Sequence, residues 1–137
     1  MTPTPIAAIQ SYHAHIYFGD AQARVRAATV RQQIFERFSV QLGRWHDQLI
    51  GPHALPMYQV AFAVPIFTTF VPWLMVNRQD LPVLIHPNTG NPRRDHITNA
   101  IWLGEKLQIL HLDLLPEAEA EGSINEVIPN TEPSLTP

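Results

Sequence analysis

The spacing of apolar residues changes along the chain between two periods, one typical of strands and one typical of helices. Two-residue alternation predicts strands at residues 9–18, 39–44, 57–64 and 82–86. Spacings of three and four predict a helix over residues 21–38 and a second from Thr68 or Thr69 to about Gln79. The elements therefore follow one another as strand, helix, strand, strand, helix, strand.

This order is that of a ferredoxin-like α+β sandwich, βαββαβ, in which two helices cover one face of a four-stranded antiparallel sheet. We expect the first strand to be central, parallel to the third and antiparallel to the fourth. The other face should be bare, and such a face commonly becomes a cleft or a dimer interface. Apolar alternation returns over residues 100–115 and predicts one or more further strands.

Three residues predict local features of these elements. Asp20 can cap the first helix by accepting from free amides of its first turn. Gly43, inside a short strand, indicates an edge position or a bulge. Pro72 is tolerated if the second helix is capped at Thr68 or Thr69, because it then falls in the first turn.

Composition divides the chain into one domain at residues 1–115 and an acidic tail at residues 116–137. The domain has nine basic and seven acidic side chains, whereas the tail has five acidic and no basic ones. The even balance argues against a nucleic-acid partner, and the tail is expected to be solvated. No signal peptide or membrane-spanning stretch is recognisable, which favours a cytoplasmic protein with no membrane partner.

Histidines supply the candidate chemistry. In the first strand, alternation places His13, His15 and Tyr17 on one face and Ala14 and Ile16 on the other. The predicted topology brings five of the seven histidines to one edge of the open face: His13, His15, His53, His86 and His96. A single histidine is more often a hydrogen-bonded structural residue, but clustered imidazoles repel when protonated and indicate metal binding or proton transfer.

The ligand chemistry is restricted by what the chain lacks. It has no cysteine, and imidazole without thiolate suits iron, zinc, copper or nickel. Asp95 and Asp47 are candidates for a carboxylate ligand, although spacing favours neither. Arg93 and Arg94 are either solvated surface charges, or one of them binds a substrate carboxylate through two parallel hydrogen bonds.

Several separated motifs resemble the DOPA 4,5-dioxygenase family. They occur in the family's order between about residues 10 and 110, which leaves the acidic tail outside: Tyr12-His13-Ala14-His15-Ile16-Tyr17-Phe18, Gly51-Pro52-His53, Met57-Tyr58-Gln59-Val60-Ala61-Phe62, His86-Pro87-Asn88-Thr89-Gly90 and Asp95-His96. The resemblance implies a ferredoxin-like fold. It also implies extradiol cleavage of a catechol such as DOPA by dioxygen at non-haem Fe(II).

The resemblance also implies roles for individual residues. The predicted iron ligands are His13, His53 and His86. We expect His15 and His96 to act as acid–base or substrate-orienting groups, and Arg94 and Tyr17 to contact substrate. A 2-His-1-carboxylate site would instead need Asp95 or another acid, and the sequence leaves both ligand sets open.

Two other functions remain compatible with the sequence. One is a non-catalytic ferredoxin-like module that binds a metal or a small phenol without turnover. The other is a structural dimer whose histidines are scattered. A homodimer is expected in every case, because a sheet with one bare face rarely stands alone.

Overall fold

The structure, a computed structural model, describes residues 1–120 and 125–137. Within them one sheet is built from five strands: β1 Ser11–Tyr17, β2 Gln41–His46, β3 Met57–Phe62, β4 Val83–Asn88 and β5 Ile101–Leu103. The α-helices are α1 Ala21–Arg37, α2 Phe67–Asn77 and α3 Pro92–Ile97. Of these helices, none is long and apolar enough to span a bilayer.

The strands are ordered β2-β3-β1-β4-β5, and every neighbouring pair is antiparallel. The α+β class and the central position of β1 are as predicted. The predicted parallel pairing of the first and third strands is wrong, because β3 returns through a hairpin from β2 and runs against β1. In the resulting register His13 lies between Ala61 of β3 and His86 of β4.

Helices α1 and α2 pack into one apolar cluster with the side of β1 that carries Ala14 and Ile16. The buried residues of α1 recur at helical spacing: Ala23, Ala27, Val30 and Ile34. Asp20 caps α1 as predicted, since its Oδ1 accepts from the Ala23 amide at 2.8 Å. The face of β1 that carries the histidines therefore points away from these helices.

The start of α2 differs from the prediction. A 3-10 turn at Val64–Ile66 leads directly into the helix at Phe67, without a side-chain cap. Thr69 Oγ1 donates to the Ile66 carbonyl at 3.1 Å instead of capping an amide. Pro72 consequently lies inside the helix, beyond the first turn. The lost hydrogen bond is offset by burial of apolar side chains on both sides of the proline: Phe70, Val71, Trp73 and Leu74.

Gly43 occupies the kind of position that the sequence predicts. Strand β2 is an edge strand, and its register against β3 shifts between Leu42 and Trp45. A Cβ at Gly43 would meet the Gln59 carbonyl oxygen at 3.1 Å. The glycine thus allows a close approach of β2 to β3.

The second face of the sheet is not bare, contrary to the prediction. Tyr17, Met57 and Leu84 are buried there beneath a second apolar cluster formed by Leu55, Ala100, Trp102, Leu107 and Ile109. Of the further strands expected at residues 100–115, β5 forms, and beyond it Ile109 makes an isolated bridge with His53. His111 has a left-handed φ of 51° and begins a 3-10 turn, which ends the alternation.

The C-terminal segment, residues 125–137, is hydrogen-bonded to the residues around the start of β2. Thr131 Oγ1 accepts from the Val40 amide at 2.8 Å and lies 2.6 Å from the Phe38 carbonyl oxygen, to which it donates. Asn130 pairs with Leu42 through both ends of its amide, at 2.8 and 3.1 Å. The segment is thus attached through Asn130 and Thr131, while most of its other residues stay exposed.

Replacing Thr131 with valine should destabilise the protein by about 1–3 kcal/mol, because the Val40 amide loses its acceptor. Chemical unfolding of the two proteins measures the difference. Thr136→Val is the matched control, since Thr136 is exposed. Equal loss in both variants would show that the Thr131 hydrogen bonds do not secure the segment.

Candidate metal centre

Strand β1 places two imidazoles on the second face, two residues apart. His15 is 3% exposed and His13 is half-buried. Pairing of β1 with β4 sets His86 directly opposite His13, and His86 is 1% exposed. His13, His15 and His86 can each offer one ring nitrogen so that the three nitrogens lie within 4.8 Å of one another.

The distance between two of these nitrogens fits shared binding of an ion. His15 Nε2 and His86 Nε2 are 3.2 Å apart. Two nitrogens that each bind one ion at about 2.1 Å lie roughly 3.0 Å apart at a right angle and roughly 3.4 Å apart at the tetrahedral angle. The pair therefore has the spacing of neighbouring ligands, although an N–H···N hydrogen bond has the same length.

The tautomer of His86 is fixed by the backbone. Its Nδ1 lies 2.9 Å from the Pro87 carbonyl oxygen, which can only accept, so Nδ1 carries the proton. The Nε2 lone pair is then directed towards His15. A backbone carbonyl that holds the far nitrogen of an imidazole is the usual support of a histidine ligand.

His53 reaches the cluster by a different route from the one predicted. Residues 47–56 fold back over the second face, where Leu110 donates to the Pro52 carbonyl at 2.7 Å and Ile109 bridges His53. The His53 ring centroid lies 4.3 Å from that of His15. Convergence is as predicted, but the loop and its bridge produce it, since β1 and β3 are not parallel.

Tyr17 contacts His53 directly. The phenol oxygen lies 2.7 Å from His53 Nδ1, and both side chains are buried. Burial raises the pKa of Tyr17 well above its usual value, so the phenol keeps its proton. Tyr17, predicted to contact substrate, therefore orients His53, and a direct substrate contact stays a prediction.

Helix α3 presents His96 to the same cluster. Its Nδ1 donates to the Pro92 carbonyl at 2.7 Å, and its ring centroid is 4.0 Å from that of His86. The neighbouring Asp95 is 1% exposed and accepts from the Thr89 amide, the Thr89 hydroxyl and the Asn99 amide. Asp95 thus holds α3 against the loop after β4, with its oxygens occupied by these donors.

Burial keeps the five imidazoles neutral at pH 7. It is the largest cause that lowers the pKa of His13 to about 4 and that of His53 to about 4, with His96 adding to both. The pKa values of His15 and His86 are also lowered well below the usual value of an imidazole, again mainly by burial. The pKa of His96 is lowered by burial too, but the Pro92 carbonyl and Asp95 oppose that effect. Neutral imidazoles are the form that binds metal ions.

Other predicted candidates lie outside the cluster. Asp47 is exposed and forms an ion pair with Arg24 at 2.9 Å. Arg93 binds the Leu115 carbonyl and Glu117. Arg94 is exposed and lines a cavity of about 530 Å³ whose described lining includes none of the five histidines. Its role in substrate binding stays a prediction.

Two cavities border the cluster on the second face. One, of about 230 Å³, is lined by His13, and the other, of about 280 Å³, by His15 and His53. They share Gly43 and Gln59 in their linings. An aromatic ring could therefore reach the imidazoles from the side of β2 and β3.

Sequence reasoning missed two residues of this surface. Gln59 lies opposite His15 in the β1–β3 register and lines both cavities. The sequence does contain a signal for Gln59, because it is a polar residue within the otherwise apolar strand Met57–Phe62. Glu126 lines the cavity beside His13 but belongs to the acidic C-terminal segment, and no signal in the sequence connects it to β1.

Removing the phenol oxygen of Tyr17 tests its contact with His53. We expect Tyr17→Phe to lose about 1–2 kcal/mol of stability, because the buried His53 Nδ1 loses its hydrogen-bond partner. Chemical unfolding of the variant and the unmodified protein measures the loss. Tyr12→Phe is the control, because the Tyr12 ring stacks on Phe62 without a hydroxyl partner among residues 1–120 and 125–137. Equal stability of the two variants would contradict this role.

The fold and the site together define a small α+β protein with a buried all-histidine cluster that could hold a metal ion. A family comparison agrees with that class. The model of the Dopa 4,5-dioxygenase family matches residues 12–113, and the chain belongs to this family.

Two fungal proteins are similar to the chain, and one of them carries the family's name. The chain is 31% identical over 116 residues to a DOPA 4,5-dioxygenase of Amanita muscaria, covering 79% of this chain and 50% of that protein. It is 33% identical over 112 residues to an uncharacterized 21.2 kDa protein of Botryotinia fuckeliana, covering 72% of this chain and 60% of that protein. The chain thus spans about half to three fifths of these relatives.

A solved structure is similar over most of its length. It is the crystal structure of a Nostoc punctiforme protein that is provisionally named a dioxygenase. The TM-score is 0.76 and the identity 48%, with 78% of this chain and 92% of that chain covered. The fold described above is therefore close to that of a protein grouped with the oxygenases.

Proposed function

We propose that this protein is an iron-dependent extradiol dioxygenase that opens the ring of a catechol such as DOPA with dioxygen. The family supports oxygenase chemistry on a small molecule. The catechol substrate, the iron and the extradiol position of cleavage are the proposed parts.

The 3.2 Å separation of His15 Nε2 and His86 Nε2 is the observation that carries the proposal. Both rings are buried and neutral, and His15 Nδ1 has no hydrogen-bond partner among the described residues. A divalent cation between the two Nε2 atoms would accept both of their lone pairs, and His15 Nδ1 would then carry the proton of its ring.

The donor set fits Fe(II), because neutral imidazoles suit first-row transition metals. We propose that His13, His15 and His86 hold the ion, since their nitrogens form the compact group. The predicted ligand His53 would then act with His96 beside the metal. When bound, Fe(II) would supply a site at which catechol oxygens and dioxygen can meet and exchange electrons.

We assign proton transfer to the two remaining imidazoles, those of His53 and His96. His96 is the more readily protonated of the two and so the better placed proton donor, because Asp95 and the Pro92 carbonyl raise its pKa against the effect of burial. His53 receives its orientation from Tyr17. A histidine between such groups can take the proton of a catechol hydroxyl and return it to the opened product.

Oxygen uptake after anaerobic loading with Fe(II) tests the proposal. We expect uptake with DOPA or a simple catechol and formation of a yellow ring-opened product. No uptake with any catechol would overturn the enzyme function. Tight binding of a phenol without uptake would favour the alternative, a non-catalytic module that binds a metal or phenol.

Three accompanying predictions stay proposals. The ferredoxin-like architecture is supported by the order β2-β3-β1-β4 with β5 added at the edge. The homodimer loses its original argument, because the second face is covered within one chain. The cytoplasmic location has no structural argument for or against it.

A further inference from the structure

The C-terminal segment forms part of the cavity beside His13. Asn125, Glu126 and Val127 line this cavity of about 230 Å³ together with β-strand residues of the second face. The family match ends at residue 113. This wall is therefore a feature of the chain outside the matched region.

Hydrogen bonds hold this wall in position on both sides of Glu126. Asn125 Nδ2 donates to Gln10 Oε1 at 3.0 Å and to Glu119 Oε2 at 2.9 Å. The Ile128 amide donates to Gln41 Oε1 at 3.3 Å. Because Asn125 and Ile128 are attached beside the starts of β1 and β2, the backbone at Glu126 is held against the rim of the cavity.

Glu126 gives this cavity its charge. Apart from the neutral His13, the other described lining residues carry no ionisable side chain. The Glu126 carboxylate has no hydrogen-bond or ion-pair partner in the described part of the chain, so it is free to meet a ligand. Arg44 lines the neighbouring cavity, on the other side of Gly43 and Gln59.

We infer that Glu126 is a specificity-determining residue, which favours catechols whose ring substituent ends in a cationic group. The inference rests on the proposed function. A ring held at the histidine cluster would direct its substituent along the cavity beside His13, where the carboxylate attracts an ammonium. The side chain is exposed, so the attraction should be modest and sensitive to salt.

The test compares three catechols with substituents of similar length: an aminoethyl group, an ethyl group and a carboxyethyl group. For Glu126→Gln we expect kcat/KM for the cationic substrate, relative to the neutral one, to fall about two- to fivefold. Glu126→Lys should lower this ratio further, and it should raise kcat/KM for the anionic substrate relative to the neutral one. Glu132→Gln is the control, since Glu132 is exposed in the same segment.

Unchanged ratios in both Glu126 variants, or equal changes in Glu132→Gln, would overturn the inference. Binding of the same three compounds to the metal-free protein gives a second readout, because it needs no turnover. Selective binding of the cationic compound that Glu126→Gln removes would support the inference even if no catechol is cleaved. Failure of the proposed enzyme activity is thereby separated from failure of this assignment.

Discussion

Replacing His86 with alanine is expected to abolish both metal binding and oxygen uptake. The substitution removes the nitrogen that lies 3.2 Å from His15 Nε2 and leaves at most two of the three proposed ligands. We expect bound iron to fall from about one ion per chain to a small fraction of that. Metal affinity should fall well beyond the roughly 10- to 100-fold that loss of a supporting residue costs.

Metal analysis after reconstitution and gel filtration measures this effect. His86→Gln is a second variant that preserves volume in a site that is 1% exposed, and it should also lose the metal. His111→Ala is the control, because His111 is exposed and lies outside the cluster. Full metal content in His86→Ala would remove His86 from the ligand set.

The metal-free protein is expected to lose stability steeply as the pH falls from about 6.5 to about 4. Both His13 and His53 have pKa values lowered from 6.5 to about 4 in the folded state, mainly by burial. Below pH 6.5 the unfolded chain therefore binds protons that the folded chain does not, and the free energy of unfolding decreases. For His53 alone the loss should be on the order of 2–3 kcal/mol by pH 4.

Urea unfolding between pH 7.5 and pH 4 measures this dependence. His53→Gln should flatten the curve, since it removes one of the groups that take up protons on unfolding. His111→Gln should leave the curve nearly unchanged, because His111 is exposed and lies outside the cluster. If the metal-free protein were equally stable at pH 7 and pH 4.5, the histidines of the cluster would not be kept neutral by burial.

The histidine face of the first strand was predictable from alternation alone, and its central position from the order of the elements. His13, His15 and Tyr17 face one side of β1, and Ala14 and Ile16 pack against the helices on the other. The cap at Asp20 and the edge position of Gly43 follow local rules of the backbone, so they too could be inferred without tertiary contacts.

Features set by long-range contacts could not be inferred in this way. The loop that carries His53 is positioned by Pro52, Leu110 and Ile109, and no local pattern connects residues so far apart. The same is true of Thr131, which sits beside β2 although composition favours a solvated tail. The left-handed backbone at His111 ends a pattern that by itself predicts a strand.

The choice of metal ligands also depends on contacts that the sequence does not reveal. The sequence motifs predict His13, His53 and His86 as the iron ligands. Only the side-chain geometry shows that His15 shares the compact group with His13 and His86, whereas His53 binds the Tyr17 phenol. Asp95 is a candidate carboxylate ligand in the sequence, yet its oxygens accept hydrogen bonds from Thr89 and Asn99.

The most direct test of the account is the ratio of dioxygen to catechol consumed by the Fe(II)-loaded protein, together with the mass of the product. We predict one dioxygen per catechol, no hydrogen peroxide, and a product whose mass is that of the catechol plus both oxygen atoms. The metal-free protein and His86→Ala should consume neither reactant. Oxidation of the catechol to a quinone with release of hydrogen peroxide, or no consumption at all, would contradict a ring-opening function.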